Sequence, residues 1–194
     1  AVSDVAAEAP QPTVADYPEY VEEDKDKVAY LYAHMHETGE YTCYALSTSG
    51  NDWNDLFGSQ EVFDTKAYTK TGGMRDAYVC RLQSGNGFML VGTDMTSRLG
   101  WTSNHIMDLM LSPDLIHWTK IKNDQPLFSR GSRGEWDQGA IWAPAIIEYG
   151  ERLYMYYEGW GIEGETPDRD KKYFLPGHSC IGLATCKKKD FLDW

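Results

Sequence analysis

Arg75 and Asp76 stand where a loop containing Gly72 and Gly73 turns into the apolar run Ala77-Tyr78-Val79-Cys80. A carboxylate at the mouth of a strand can move a proton to or from a reacting group. It can equally close a turn, with the neighbouring guanidinium as its ion-pair partner. Trp101, Asn104 and His105 lie together in "GWTSNH", a loop whose flat ring and polar side chains suit a ligand with both hydroxyls and apolar faces. Trp142 opens a further apolar run, where an indole can stack on a flat ligand or pack between sheets. Glu158, in "YYEGW", closes another run and reads first as a hydrogen-bonded carboxylate at a strand end. His34 and His36 alternate along one strand face. That spacing can share a metal, but no third ligand accompanies them, and no metal site is assigned.

The elements that must position these groups are short and β-rich. Residues 28–34, 88–93 and 152–157 are apolar runs bounded by Gly, Asn, Asp and Ser, and each is followed by another at 41–47, 106–112 and 180–186. Each pair leads into a polar turn and a tryptophan, Trp53, Trp118 or Trp194, which the recurrence marks as core punctuation. A long-period repeat of antiparallel strands predicts a β-propeller with one blade per repeat. A β-sandwich would not need the recurring turn and tryptophan. The second and third repeats carry an extra leading strand, at 75–82 and 142–149, which the first lacks. In a propeller those leading strands are innermost and aim their ends at the central channel. Superposing them sets Arg75-Asp76-Ala77 against Trp142-Ala143-Pro144.

The expected organisation is an acidic lead-in over 1–27, then a partial propeller over 28–194. Its parts are ring-closing strands at 28–57, a blade at 72–122 and a blade at 140–194. That is about two and a half blades, the remainder coming from another chain segment or a symmetry mate. The charged stretch 165–172 reads as a solvated loop.

The 194 residues carry a net charge of −12, which argues against a nucleic-acid partner. No apolar run approaches the length of a membrane span. Cys43, Cys80, Cys180 and Cys186 are too scattered for a disulfide framework or a zinc site and read as free thiols. The chain starts with Ala, which fits a processed protein, secreted or periplasmic, or a shortened chain.

"RDAYVCRLQSGNGFMLVGTDM", "GWTSNHIMDLMLSPDLIHW", "WAPAIIEYGERLYMYYEG" and "IGLATC" together resemble the five-bladed propeller glycosidases of glycoside hydrolase family 43. The resemblance covers 28–194 and implies an all-β fold and a carbohydrate substrate, an arabinose- or xylose-containing plant polysaccharide or oligosaccharide. It makes Asp76 the general base of an inverting hydrolysis. In that mechanism a carboxylate activates water and an acid about 6.5–9.5 Å away protonates the leaving oxygen. The acid and the aspartate that tunes it would lie beyond Trp194. Arg75, Trp101, Asn104, His105 and Trp142 become substrate-binding candidates. No cofactor is implied, although such propellers can hold a channel cation such as calcium.

Two residues depart from the family pattern. Ala77 stands where a proline is usual, and Ala145 where a carboxylate is usual. These keep open a glycan-binding propeller without catalysis, and the shared motifs keep open a fructan-cleaving relative. A protein-interaction propeller is a third reading, which would not need Asp76 at an innermost strand.

Overall fold

Segments rich in Val, Ile, Tyr, Met and Leu between polar turns favour short extended strands whose side chains alternate between two faces. The computed structural model describes residues 29–82, 87–100, 103–121, 125–161 and 179–192, and there the runs form three antiparallel sheets. The first sheet is β1 (Tyr30–Met35), β2 (Thr42–Ser47) and β3 (Asn54–Asp55). The second is β4 (Met74–Arg81), β5 (Phe88–Asp94), β6 (Ile106–Ser112) and β7 (Thr119–Lys120), with β8 (Phe128–Ser129) also paired to β6. The third is β9 (Ala140–Tyr149), β10 (Arg152–Trp160) and β11 (Ser179–Lys187). Two short α-helices accompany them among the described residues, α1 (Thr65–Tyr68) and α2 (Lys188–Leu192). The second replaces the turn expected after β11. The lead-in over 1–27, the 165–172 stretch, Trp101 and Trp194 fall outside the described residues.

The sheets stand side by side like blades, β1 against β4 and both β4 and β5 against β9. β4 and β9 are therefore neighbouring leading strands, and the first sheet has no described counterpart to them. This is an all-β fold built as part of a propeller. Alternation on β5 explains how the blades adhere. Met89 and Val91 face the third sheet and join Met107, Ile141, Leu153 and Tyr157, whereas Leu90 faces the first sheet and joins Tyr44, Phe63, Met110 and Trp118. Burying one such side chain stabilises the fold by about 1.5–3 kcal/mol.

The outer faces are different. Tyr30, Tyr32, Ile181 and Leu183 are exposed although they lie on strands. Trp53 shows why the recurring tryptophans are not equivalent. Trp118 is covered by the first sheet and is buried, while no described sheet covers the matching side of the first, and Trp53 is 43% exposed. The expectation that Trp53 is core is thus corrected.

The turns before these two tryptophans are built alike. Ser47 Oγ accepts from the N–H groups of Ser49 and Gly50, and Ser112 Oγ from those of Asp114 and Leu115. Ser49 then caps Asn51 and Asp52 as Asp114 caps Ile116 and His117.

Candidate functional site

Where β4 and β9 begin, each ladder carries the same irregularity. On β4, Arg75 pairs with Thr93 and Tyr78 with Val91, so Asp76 and Ala77 stand opposite Gly92 alone. On β9, Trp142 pairs with Glu158 and Ala145 with Tyr156, so Ala143 and Pro144 stand opposite Tyr157 alone. Each is a β-bulge, which re-aims one side chain out of the ladder. Asp76 has φ 54° and Ala143 φ 50°. Aspartate tolerates this left-handed conformation, whereas alanine held there stores about 1–2 kcal/mol of strain. The superposition of Arg75-Asp76-Ala77 on Trp142-Ala143-Pro144 made from the sequence is the register of the two bulges.

The segments around the bulge on β4 hold it tightly. Gly73 comes so close that an added Cβ would meet the Met95 carbonyl oxygen at 2.6 Å. Buried Asp94 accepts from the N–H groups of Lys70 and Thr71 at 2.6 and 2.9 Å, and from the Thr71 hydroxyl at 2.6 Å. Glu40, from the β1–β2 turn, accepts from the Ser97 N–H at 2.8 Å and lies 3.4 Å from Arg75 Nη1. Arg75 thus reaches across to the first sheet. The bulge on β9 is braced by the loop before it. Asp137 accepts from Tyr157 Oη at 2.9 Å, Trp136 stacks on the Tyr157 ring, and Arg130 donates to the Gly139 carbonyl.

Asp76 is open to solvent. The protein packed round it nevertheless strips enough hydration to raise its pKa above the ordinary carboxylate value. The Arg75 charge and a hydrogen bond from the Ala143 N–H pull the other way, and the Glu158 charge adds to the rise. Asp76 therefore meets the neighbouring blade through the left-handed residue of the matching bulge. Glu158 is half-buried and accepts from Trp142 Nε1 at 2.5 Å, the hydrogen-bonded strand-end carboxylate expected from the sequence. A cavity of about 420 Å³ lies beside it, lined by Ala143, Tyr156, Tyr157, Glu158, Ser179, Cys180 and Ile181.

The remaining candidates are placed differently. Trp142 is half-buried at the start of β9, its ring 6.4 Å from that of Trp160. His105 is exposed beside β6. Asn104, expected as a contact for ligand, is instead buried at 1% exposure. Its carbonyl accepts from the Ile141 N–H, so the backbone that fastens this loop to β9 draws the side chain inside. His34 lies 3.7 Å from Asp55, and His36 accepts from the Gly39 N–H. Among the described residues no cluster of His, Cys, Asp and Glu could hold a metal. The cysteines are free, and burial pushes the Cys80 thiol up to about 11, away from thiolate chemistry. Glu40 and Asp137 had no sequence signal, because each acts through a partner remote in the chain.

Residues 26–179 match a family model described as "Probable glycosyl hydrolase domain". A 60-residue stretch is 33% identical to an alpha-L-arabinofuranosidase of Bifidobacterium longum subsp. longum, covering 28% of this chain and 6% of that protein. Among solved structures, an N-acetylgalactosamine deacetylase from F. plautii in complex with blood group B trisaccharide superposes with a TM-score of 0.56 at 17% identity, over 79% of this chain and 44% of that one. An endo-1,4-beta-xylanase from Bacteroides thetaiotaomicron superposes with a TM-score of 0.52 at 16% identity, over 86% and 47%. At such identities the superpositions establish fold alone. The chain spans less than half the length of these relatives.

Proposed function

The chain belongs to the family 43-related glycosyl hydrolase domains, and from that membership we propose that it supplies the base-bearing part of a propeller glycosidase acting on arabinose- or xylose-containing plant polysaccharides or oligosaccharides. The observation that carries the reading is Asp76 itself. It is a solvent-open carboxylate on a leading strand, aimed by a bulge and held from the neighbouring blade by the Ala143 N–H. In an inverting hydrolysis this carboxylate takes a proton from the attacking water. A base must be ionised yet basic enough to accept that proton, and the raised pKa moves Asp76 toward the working pH. Arg75, His105 and Trp142 are the described groups proposed to contact sugar, and Trp101 joins them through its place in "GWTSNH".

The test is hydrolysis of aryl α-L-arabinofuranoside and aryl β-D-xyloside by the complete protein beside Asp76→Asn. Turnover by wild type, lost in the variant, supports the assignment. Undiminished turnover by Asp76→Asn removes it. A second reading, glycan binding without cleavage, is favoured by one observation. The third sheet offers alanine at both Ala143 and Ala145, where its leading strand nears the site. Polysaccharide binding retained without turnover on either substrate would select that reading.

A further inference from the structure

Glu158 has no role in the proposed hydrolysis, although it stands across the ladder beside the β9 bulge, lines one cavity with Ala143, and its charge opposes ionisation of Asp76. It lies directly across the ladder from Trp142 and accepts that residue's indole N–H, so one hydrogen bond locks the two strands at the edge of the bulge. The next residue on β9 is Ala143, whose left-handed conformation turns its N–H toward Asp76. At the matching place on the second sheet, the partner of Arg75 across the ladder is Thr93, fully buried and uncharged. Among the described residues, the pair of Trp142 and Glu158 has no counterpart on the second sheet and stands beside the bulge that donates to Asp76.

We propose that Trp142 and Glu158 form a positioning pair for Asp76, in which the indole–carboxylate bond fixes the β9 bulge that presents the Ala143 N–H and sets Glu158 as a fixed negative charge beside the base. The inference rests on the assignment of Asp76 as the working carboxylate. Of the other charged groups on the neighbouring segments, Arg75 favours the ionised form of Asp76 by its charge, and the rest are held by their own partners. Arg75 reaches Glu40, Glu40 is held by Ser97, and Asp94 is held by Lys70 and Thr71. From β1, His34 faces Asp55. The two halves of the pair act in opposite senses on Asp76. Glu158 disfavours its charged form by like-charge repulsion, while the fixed Ala143 N–H favours it.

The experiment follows the ¹³C carboxyl resonance of Asp76 through a pH titration of the complete protein, assigned by its disappearance in Asp76→Asn. Glu158→Gln keeps a hydrogen-bond acceptor but removes the charge, and the Asp76 midpoint should move down. Trp142→Phe keeps a ring but loses the N–H, which loosens the bulge, and the midpoint should move up. If the enzyme turns over, the acid limb of its pH–rate profile should move in the same two directions. An unchanged midpoint in Glu158→Gln overturns the proposal, as do shifts of the same sign in both variants. Should Trp142→Phe not fold, the Glu158→Gln titration alone decides. Absence of turnover in wild type would sink the hydrolase reading while leaving the titration fully interpretable.

Discussion

The second and third sheets start their leading strands with the same bulge and the same left-handed residue, yet one places aspartate there and the other alanine. Backbone geometry therefore does not distinguish the position proposed as the base from its counterpart, since the blade repeat supplies the geometry to both. What differs is what the side chain meets. Asp76 projects into solvent with a neighbour's N–H as partner, whereas Ala143 contributes that N–H and carries no polar group of its own. The bulge on β9 donates to the carboxylate of the bulge on β4.

The strongest way to break this comparison is to exchange the chemistry. Asp76→Asn should lower kcat by about 10²–10⁴, and Ala143→Asp added to it should not restore turnover, because the donated N–H points the wrong way. Steady-state rates on an aryl glycoside decide this. The same Asp76→Asn change should raise Tm at neutral pH. A carboxylate with a raised folded pKa has its stability contribution in full below the unfolded value and loses it as pH rises through the folded one. The neutral amide avoids that loss, and a lower Tm in the variant would contradict the desolvation argument.

A second contrast concerns burial. Leu90, fully buried on β5 of the second sheet, should cost about 2–5 kcal/mol as Leu90→Ala. Leu183, exposed on β11 of the third, should cost no more than about 0.5 kcal/mol as Leu183→Ala. Denaturant midpoints of the two variants measure the difference, and near-equal costs would mean that β11 is covered in solution.

Relief of strain sharpens the comparison further. Ala143→Gly should stabilise the fold by about 0.5–1 kcal/mol, since glycine adopts φ near 50° freely. The same experiment shows whether a looser donor weakens Asp76.

The smallest effect belongs to the turn of the second sheet. Burial opposes ionisation of Asp114, but the N–H groups of His117 and Ile116 and the His117 side chain hold its carboxyl down at about 2. That contribution is complete above the ordinary value of 3.8 and is lost as pH falls through about 2. Acid melting of wild type beside Asp114→Asn should converge in that window.

Much of this was legible in the chain. The alternation of "FMLVGT" and the Ser-turn-Trp spacing carry strand and blade directly, since period and turn chemistry are local properties. The alignment of Asp76 with Ala143 was legible for the same reason. The partners of these residues were not. Nothing local to Glu40 announces that its carboxylate accepts from Ser97, 57 residues away. Asn104 misled because a polar residue in a loop reads as exposed until the strand laid over it is known. Trp53 misled because repetition predicts the same environment for each copy, while a blade's burial depends on what stands next to it.

β5 has consequences beyond packing. It is hydrogen-bonded along both sides, to β4 and β6, and covered on both faces by separate hydrophobic clusters. Its amides can reach solvent only when both clusters come apart together. Deuterium should therefore enter β5 last, at the rate of global opening, while the amides of β11, paired on one side among the described residues and exposed at Ile181 and Leu183, exchange by local fraying. The slowest protons in the molecule would then lie in the strand paired with the one that carries Asp76.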